Sequence, residues 1–106
     1  MNKFPQVTEI QIIPVKPRDG LVAFTSFVLN DQFYVGDVAI YTRLNGGYRL
    51  VYPTKILTTG KQLPCFHPIN RTVSEYVEKK IIFHFENLMT IKGRFNDTRT
   101  EAVGAS

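Results

Sequence analysis

Cys65 and His67 stand two positions apart, and His84 lies further along the chain. A thiolate and two imidazoles are residue types that hold zinc, but zinc needs three or four convergent ligands, and one Cys with two His at this spacing falls short. No metal site is expected, and His67, next to Pro68, is read as ordering its turn by hydrogen bonding. Asp37 is an isolated carboxylate in an apolar stretch. Without a base or a second carboxylate matched to it, it reads as a partner for a backbone or basic group, not as a catalytic acid. The sequence carries no glycine-rich phosphate loop and no Ser or Cys nucleophile motif. The expectation is therefore no catalytic residue, no cofactor and no small-molecule substrate.

The chemistry that remains is electrostatic. Thirteen Lys and Arg against nine Asp and Glu leave a net charge of +4, only a mild pointer to an anionic partner. The distribution says more: between Asp37 and Glu75 there is no acidic residue, while Arg43, Arg49, Lys55, Lys61 and Arg71 fall in that interval and Lys79 and Lys80 follow it. Nucleic acids present a dense row of phosphates, and a protein that neutralises them gains affinity by releasing condensed counterions. Lys55, Lys61 and Arg71 are assigned to phosphate contact, with base readout left open. Lys79 and Lys80 are further candidates on a helix whose Glu75, Glu78 and Glu86 dilute the charge. Arg49 and Arg43 read equally well as strand-surface charges. Tyr34, Tyr41, Tyr48 and Tyr52 would offer stacking surfaces to bases on an open sheet; packing in the core or at a dimer interface is the preferred reading.

Several elements must position these groups. VTEIQIIPV, residues 7–15, mixes β-branched and polar residues, and Pro14 removes a ladder donor, so it reads as an edge strand. LVAFTSFVL, residues 21–29, is apolar on both alternating faces, with Val22, Phe24 and Val28 on one and Leu21, Ala23, Phe27 and Leu29 on the other. That suits a central strand covered on both sides. Asn30 and Asp31 turn the chain into a third strand over 33–41, and Asn45, Gly46 and Gly47 turn it into a fourth over 48–52. There Tyr48, Leu50 and Tyr52 share one face and Arg49 and Val51 the other. Pro64 and Pro68 allow only a short extended piece in the 53–69 loop, where long regular pairing is not expected. Then Val73, Tyr76, Val77, Ile81, His84, Phe85 and Leu88 recur at helical spacing, marking an amphipathic helix of about five turns. Asn70 or Thr72 can cap it, and Thr72 and Glu75 have capping-box spacing.

The fold class is α+β: a small antiparallel sheet of four to five strands followed by one C-terminal amphipathic helix. One domain is expected over residues 1–92. From Gly93 on, the only apolar residues larger than Ala are Phe95 and Val103, so residues 93–106 read as a flexible tail. A helix about 10 Å across shields roughly two strands spaced about 4.8 Å apart. Apolar sheet surface is left over, and a homodimer in which strands of two chains meet is the expected way to bury it; the alternative is a monomer whose 53–69 loop packs across the open face. With one cysteine, no run of about 20 apolar residues and no apolar segment behind a basic start, a cytoplasmic protein with no membrane partner is expected.

The segments also line up with a known family. VTEIQIIPV, GLVAFTSFVLNDQFYVGDVAIY, NGGYRLVYPTK and HPIN, in this order and running to the helix near Leu88, resemble the SpoVG family of bacterial septation regulators over about four fifths of the chain. The most specific elements are the strand, turn and strand around Asn30 and Asp31 with Phe33, Val35 and Asp37, then Tyr52-Pro53-Thr54-Lys55 and His67-Pro68-Ile69-Asn70. The resemblance implies a homodimer, an antiparallel sheet with a C-terminal helix, and site-selective DNA and RNA binding in the control of sporulation, septation or virulence. It implies a nucleic-acid role for Lys55 and for the start of the helix. This chain departs from the family pattern at Ile56, where a second basic residue is usual, and at Leu63 and Pro64, where an Arg-Asp pair is usual. Lys61 replaces part of that charge. A second function class is a protein-interaction adaptor in cell division, using the sheet dimer as a platform without binding nucleic acid.

Overall fold

The computed structural model describes the backbone of residues 4–105 and the side chains of residues 4–91. β1 (Val7–Arg18), β2 (Leu21–Leu29), β3 (Phe33–Thr42) and β4 (Tyr48–Val51) form one antiparallel sheet in the order β1-β2-β3-β4. β5 (Thr54–Ile56) and β6 (Gln62–Pro64) pair with each other in a separate two-stranded ribbon, and α1 (Arg71–Ala105) closes the chain. The α+β expectation holds, β1 is an edge strand as read, and α1 runs beyond the five turns that the periodicity marks. The expected tail, residues 93–106, lies outside the residues whose side chains are described.

Turn chemistry sets the register. Asn30 and Asp31 both take positive φ, 52° and 53°, and the Gln32 N–H donates to Leu29 O at 2.9 Å. Asn and Asp tolerate that region better than most residues, and two successive such residues match the twist of a hairpin. The Asn30 side-chain carbonyl also accepts the Gln6 N–H at 2.8 Å, tying the turn to the start of β1. Two irregularities were not visible in the alternation. Glu9 at φ 49° and Asp37 at φ 58° lie where the β1–β2 and β2–β3 registers shift. Asp37 thus acts through its backbone, as the left-handed residue of a bulge. Its exposed side chain makes no hydrogen bond or ion pair among the described residues, which corrects the expected partnership.

One face of the sheet carries the core. Ala23, Phe27, Val35, Val38 and Ile40 close against Val77, Ile81 and Phe85 of α1, which touches both edge strands, β1 and β4. Phe27, Ile40, Ile81 and Val38 are fully buried. Each such side chain contributes about 1.5–3 kcal/mol relative to exposure. Tyr48 and Leu50 of β4, and Tyr52 just beyond its end, pack on this core as the alternation requires. The other face is left uncovered by the described residues. Register pairs Ile13 with Phe24, Val28 with Tyr34 and Ala39 with Val51 on that side. Ile13 is 67% and Tyr34 75% exposed.

The expectation that β2 is covered on both sides is therefore met on one side only, because one helix cannot reach around the sheet. Val22 departs from the expected face too: the register shift between Leu21 and Ala23 turns it toward the core. The 53–69 segment does not lie across the open face. Its end folds to the helix side, where the Phe66 and Tyr52 rings approach to 5.9 Å.

Candidate nucleic-acid interface

The β5–β6 ribbon is built by local chemistry. The Leu57 N–H donates to Lys61 O and the Gly60 N–H to Leu57 O, each at 2.8 Å, and Gly60 sits at φ +89°, where a side chain would be strained. At its base the Cys65 N–H donates to Pro53 O at 3.1 Å. All six residues of the two strands are exposed. A hairpin that packs on nothing is marginal by itself, so its position outside the core calls for a reason other than stability.

Its register brings two of the sequence-predicted cations together. Lys55 faces Leu63 and Ile56 faces Gln62. With Leu57 opposite Lys61, alternation puts Lys55, Leu57, Lys61 and Leu63 on one face and Thr54, Ile56, Gln62 and Pro64 on the other. Lys55 and Lys61 are diagonal neighbours, about 7–8 Å apart at the backbone. Neither pairs with an acid among the described residues, whose three ion pairs all involve arginines. Two like charges held side by side without a counter-charge are unfavourable in isolation and favourable to an incoming polyanion.

Arg71 opens α1 just after the ribbon. Its Nε lies 3.2 Å from Glu75 Oε2, but both side chains are open to water, and such a pair contributes little and parts readily. A cation in the first helical turn opposes the helix dipole, so Arg71 adds nothing to helix stability there. The cap itself is Asn70: its side-chain oxygen accepts the N–H of Thr72 at 2.8 Å and of Val73 at 3.3 Å, while its carbonyl accepts that of Ser74. Of the two capping residues read from sequence it is Asn70 that serves, and Glu75 turns to Arg71 in place of the capping box.

The other candidates lie elsewhere. At 100° per residue, Lys79 is about 80° and Lys80 about 180° around the helix from Arg71. Both are exposed, and Lys80 Nζ lies 5.7 Å from the centre of the Tyr76 ring, which stacks on Phe4. Arg49 is on the sheet face away from α1, its guanidinium 5.4 Å from the centre of the Tyr41 ring opposite it in register. Arg43 is structural: Nε donates to Tyr48 O at 3.0 Å, and Nη2 bridges to Glu78 Oε1 at 2.7 Å, clasping the β3–β4 turn to the helix. Thus the fold gathers Lys55 and Lys61 on the ribbon, places Arg71 in the first turn of α1, and distributes Arg49 and Lys80 to other surfaces.

Between ribbon and helix, His67 Nδ1 meets Pro68 O at 2.9 Å, the ordering role read for it. Tyr52, facing the core, has a hydroxyl closed off from solvent and without a hydrogen bond among the described residues. Burial, then the negative charge of Glu78, push its phenol up to about 12. That hydroxyl's isolation was not readable from the residue pattern. The ribbon pairing was readable in principle, since Thr-Thr-Gly between alternating residues is hairpin chemistry.

A four-stranded meander backed by one helix, with a cationic ribbon standing off the core, defines a small α+β module of sheet, arm and helix. The chain belongs to the SpoVG family: the family model SpoVG matches residues 5–87. Similar proteins include one from Clostridium novyi, 25% identical over 81 residues that span 76% of this chain and 80% of that protein. One from Caldicellulosiruptor saccharolyticus is 26% identical over 85 residues, 80% of this chain and 96% of that protein. One from Bacillus cytotoxicus is 24% identical over 101 residues, 95% of this chain and 99% of that protein. Each bears the name "Putative septation protein SpoVG". No helix among the described residues is long and apolar enough to cross a membrane.

Proposed function

We propose that this chain is a cytoplasmic, homodimeric regulator of septation or sporulation that binds DNA and RNA through their phosphates and performs no chemistry of its own. The observation that carries the reading is the β5–β6 ribbon, which presents Lys55 and Lys61 on one exposed face inside a stretch free of acids. Arg71 extends that charge, Lys79 and Lys80 supply secondary contacts along α1, and Arg49 contributes only where a nucleic acid reaches the far side of the sheet. The septation names of the relatives support the cellular process. The open sheet face, with Ile13, Phe24, Val28 and Tyr34, supports dimerisation, since a second copy would cover it without further elements. Fluorescence polarisation with labelled duplex DNA and RNA at several salt concentrations tests the reading. Affinity should fall steeply with salt, and absence of binding to either at low salt overturns it.

The same open face favours a second reading, a protein-interaction adaptor in cell division. A pull-down that keeps a protein partner after nuclease treatment, and loses it on changing Tyr34 but not Lys55, would favour the adaptor.

A further inference from the structure

We propose that the cavity at the start of α1 is a binding site for a small, neutral aromatic molecule carrying one hydrogen-bond donor. The cavity measures about 250 Å³ and lies between Pro5, β2, Tyr52, the segment 66–70 and the first turns of α1. Phe27 and Leu29 form its sheet side, Tyr52 and Phe66 its aromatic flank, and Val73 and Val77 its helix side. An apolar cavity of about 150 Å³ holds a benzene ring, so one ring with a substituent fits here, whereas drug-sized ligands use larger pockets of about 300–1,000 Å³.

The polar groups at the rim choose the ligand's chemistry. A carbonyl can only accept, so the 2.9 Å contact between His67 Nδ1 and Pro68 O puts the ring proton on Nδ1. In the Nδ1–H tautomer Nε2 carries a lone pair, an acceptor on an exposed residue at the rim of the cavity. The helix start does not select an anion, because the N–H groups of Thr72, Val73 and Ser74 are all taken by Asn70. Beside the His67 acceptor the lining carries the Tyr52 hydroxyl, which has no hydrogen-bond partner among the described residues and lies in the field of the negative Glu78; a carboxylate would lose its water between apolar walls near that charge, whereas a phenol-type hydroxyl or a ring N–H can donate to Nε2. The site is independent of the nucleic-acid reading and of any residue assigned to it.

Titration of the ¹⁵N-labelled full chain with phenol, toluene and benzoate, followed by amide shifts, tests the proposal. Phenol should give saturable shifts confined to the amides that line the cavity, those of β2 at Phe27 and Leu29, of Tyr52, of 66–70 apart from Pro68, and of Val73 and Val77, while benzoate gives none. Toluene should bind about tenfold more weakly than phenol for want of the hydrogen bond, although it is the more apolar of the two. His67→Phe should bring phenol down to toluene's affinity. Val73→Phe should fill the cavity and abolish the phenol shifts with the melting temperature kept; should it unfold the chain, Leu29→Phe serves the same purpose. No saturable shift with millimolar phenol, equal affinity for all three probes, or phenol shifts that survive filling the cavity would overturn the proposal.

Discussion

Replacing Lys55 and Lys61 together by alanine is the most direct perturbation of the ribbon. Both side chains are exposed and make no ion pair among the described residues, so the change should leave stability within about 0.5 kcal/mol. Its effect on binding follows from counterion release, in which each phosphate contact adds about 0.9 to the slope of log affinity against log salt. Between about 50 and 200 mM salt, one contact accordingly costs about 3.5-fold in affinity. If one ribbon engages, the parent chain should lose about 12-fold more affinity over that range than the double variant; if both ribbons of a dimer engage, about 150-fold more. Polarisation titrations of one duplex at four salt concentrations measure both slopes. Lys55→Arg with Lys61→Arg should keep the parent slope, since the charge remains. Equal slopes for the parent and the alanine variant would refute the assignment of these lysines to phosphate, whatever the affinity at any single salt concentration.

Three further outcomes are expected. Asn70→Ala removes the acceptor of two first-turn N–H groups and should cost about 1 kcal/mol, lowering the melting temperature by about 4–8 °C in a circular dichroism melt. Tyr34→Asp puts a charge on the open sheet face at a residue already 75% exposed; if the proposed dimer closes over that face, sedimentation equilibrium should show a folded monomer where the parent chain is a dimer, and an unchanged mass would exclude that face as the interface. The Tyr52 phenol is raised from 10.0 to about 12, so the folded state holds this proton more tightly than the unfolded state. The associated stability is fully present below about pH 10 and is lost as pH rises toward 12, because only the unfolded chain ionises easily in that window. In urea melts, Tyr52→Phe should remove that part of the alkaline loss and be neutral or stabilising at pH 7, where it deletes an unpaired buried hydroxyl.

The meander was legible because its signals are local. Asn30-Asp31 and Asn45-Gly46-Gly47 name their turns by conformational cost, and the faces of Tyr48, Leu50 and Tyr52 follow from alternation alone. The bulges at Glu9 and Asp37 were not legible, since neither residue type demands positive φ; tertiary pairing imposes it, and Val22 moves from the expected face through a register shift of the same kind. The choice of Asn70 over Thr72 was open because both can accept an N–H, and only the position of the first helical turn separates them. Grouping of the cations depends on which elements carry them. Lys55 and Lys61 meet across a hairpin only six residues apart in sequence, whereas Arg49 is adjacent in sequence to core residues yet points to the opposite side of the sheet. Arg43 shows the complementary failure: its surroundings in sequence lack acids, but the fold brings Glu78 to it from a helix 35 residues away.

Leu63 and Ile56 change the balance of forces on the ribbon. The resemblance to the family implies a basic residue where this chain has Ile56 and an Arg-Asp pair where it has Leu63 and Pro64. Leu63 lies opposite Lys55 on the lysine face, 39% exposed, whereas Ile56 is 66% exposed on the reverse face. A polyanion that seats against Lys55 and Lys61 therefore also covers apolar surface. Full burial of a leucine side chain is worth about 1.5–3 kcal/mol, so covering the 39% of Leu63 still exposed contributes about 0.6–1.2 kcal/mol, or about three- to eightfold in affinity. That contribution is not screened by salt, unlike the ion release of the lysines. Compared with an all-basic ribbon, this one should release fewer ions and keep a larger share of its affinity at high salt. A shallower slope together with a higher affinity extrapolated to 1 M salt would distinguish such an arm from one that has merely lost charge.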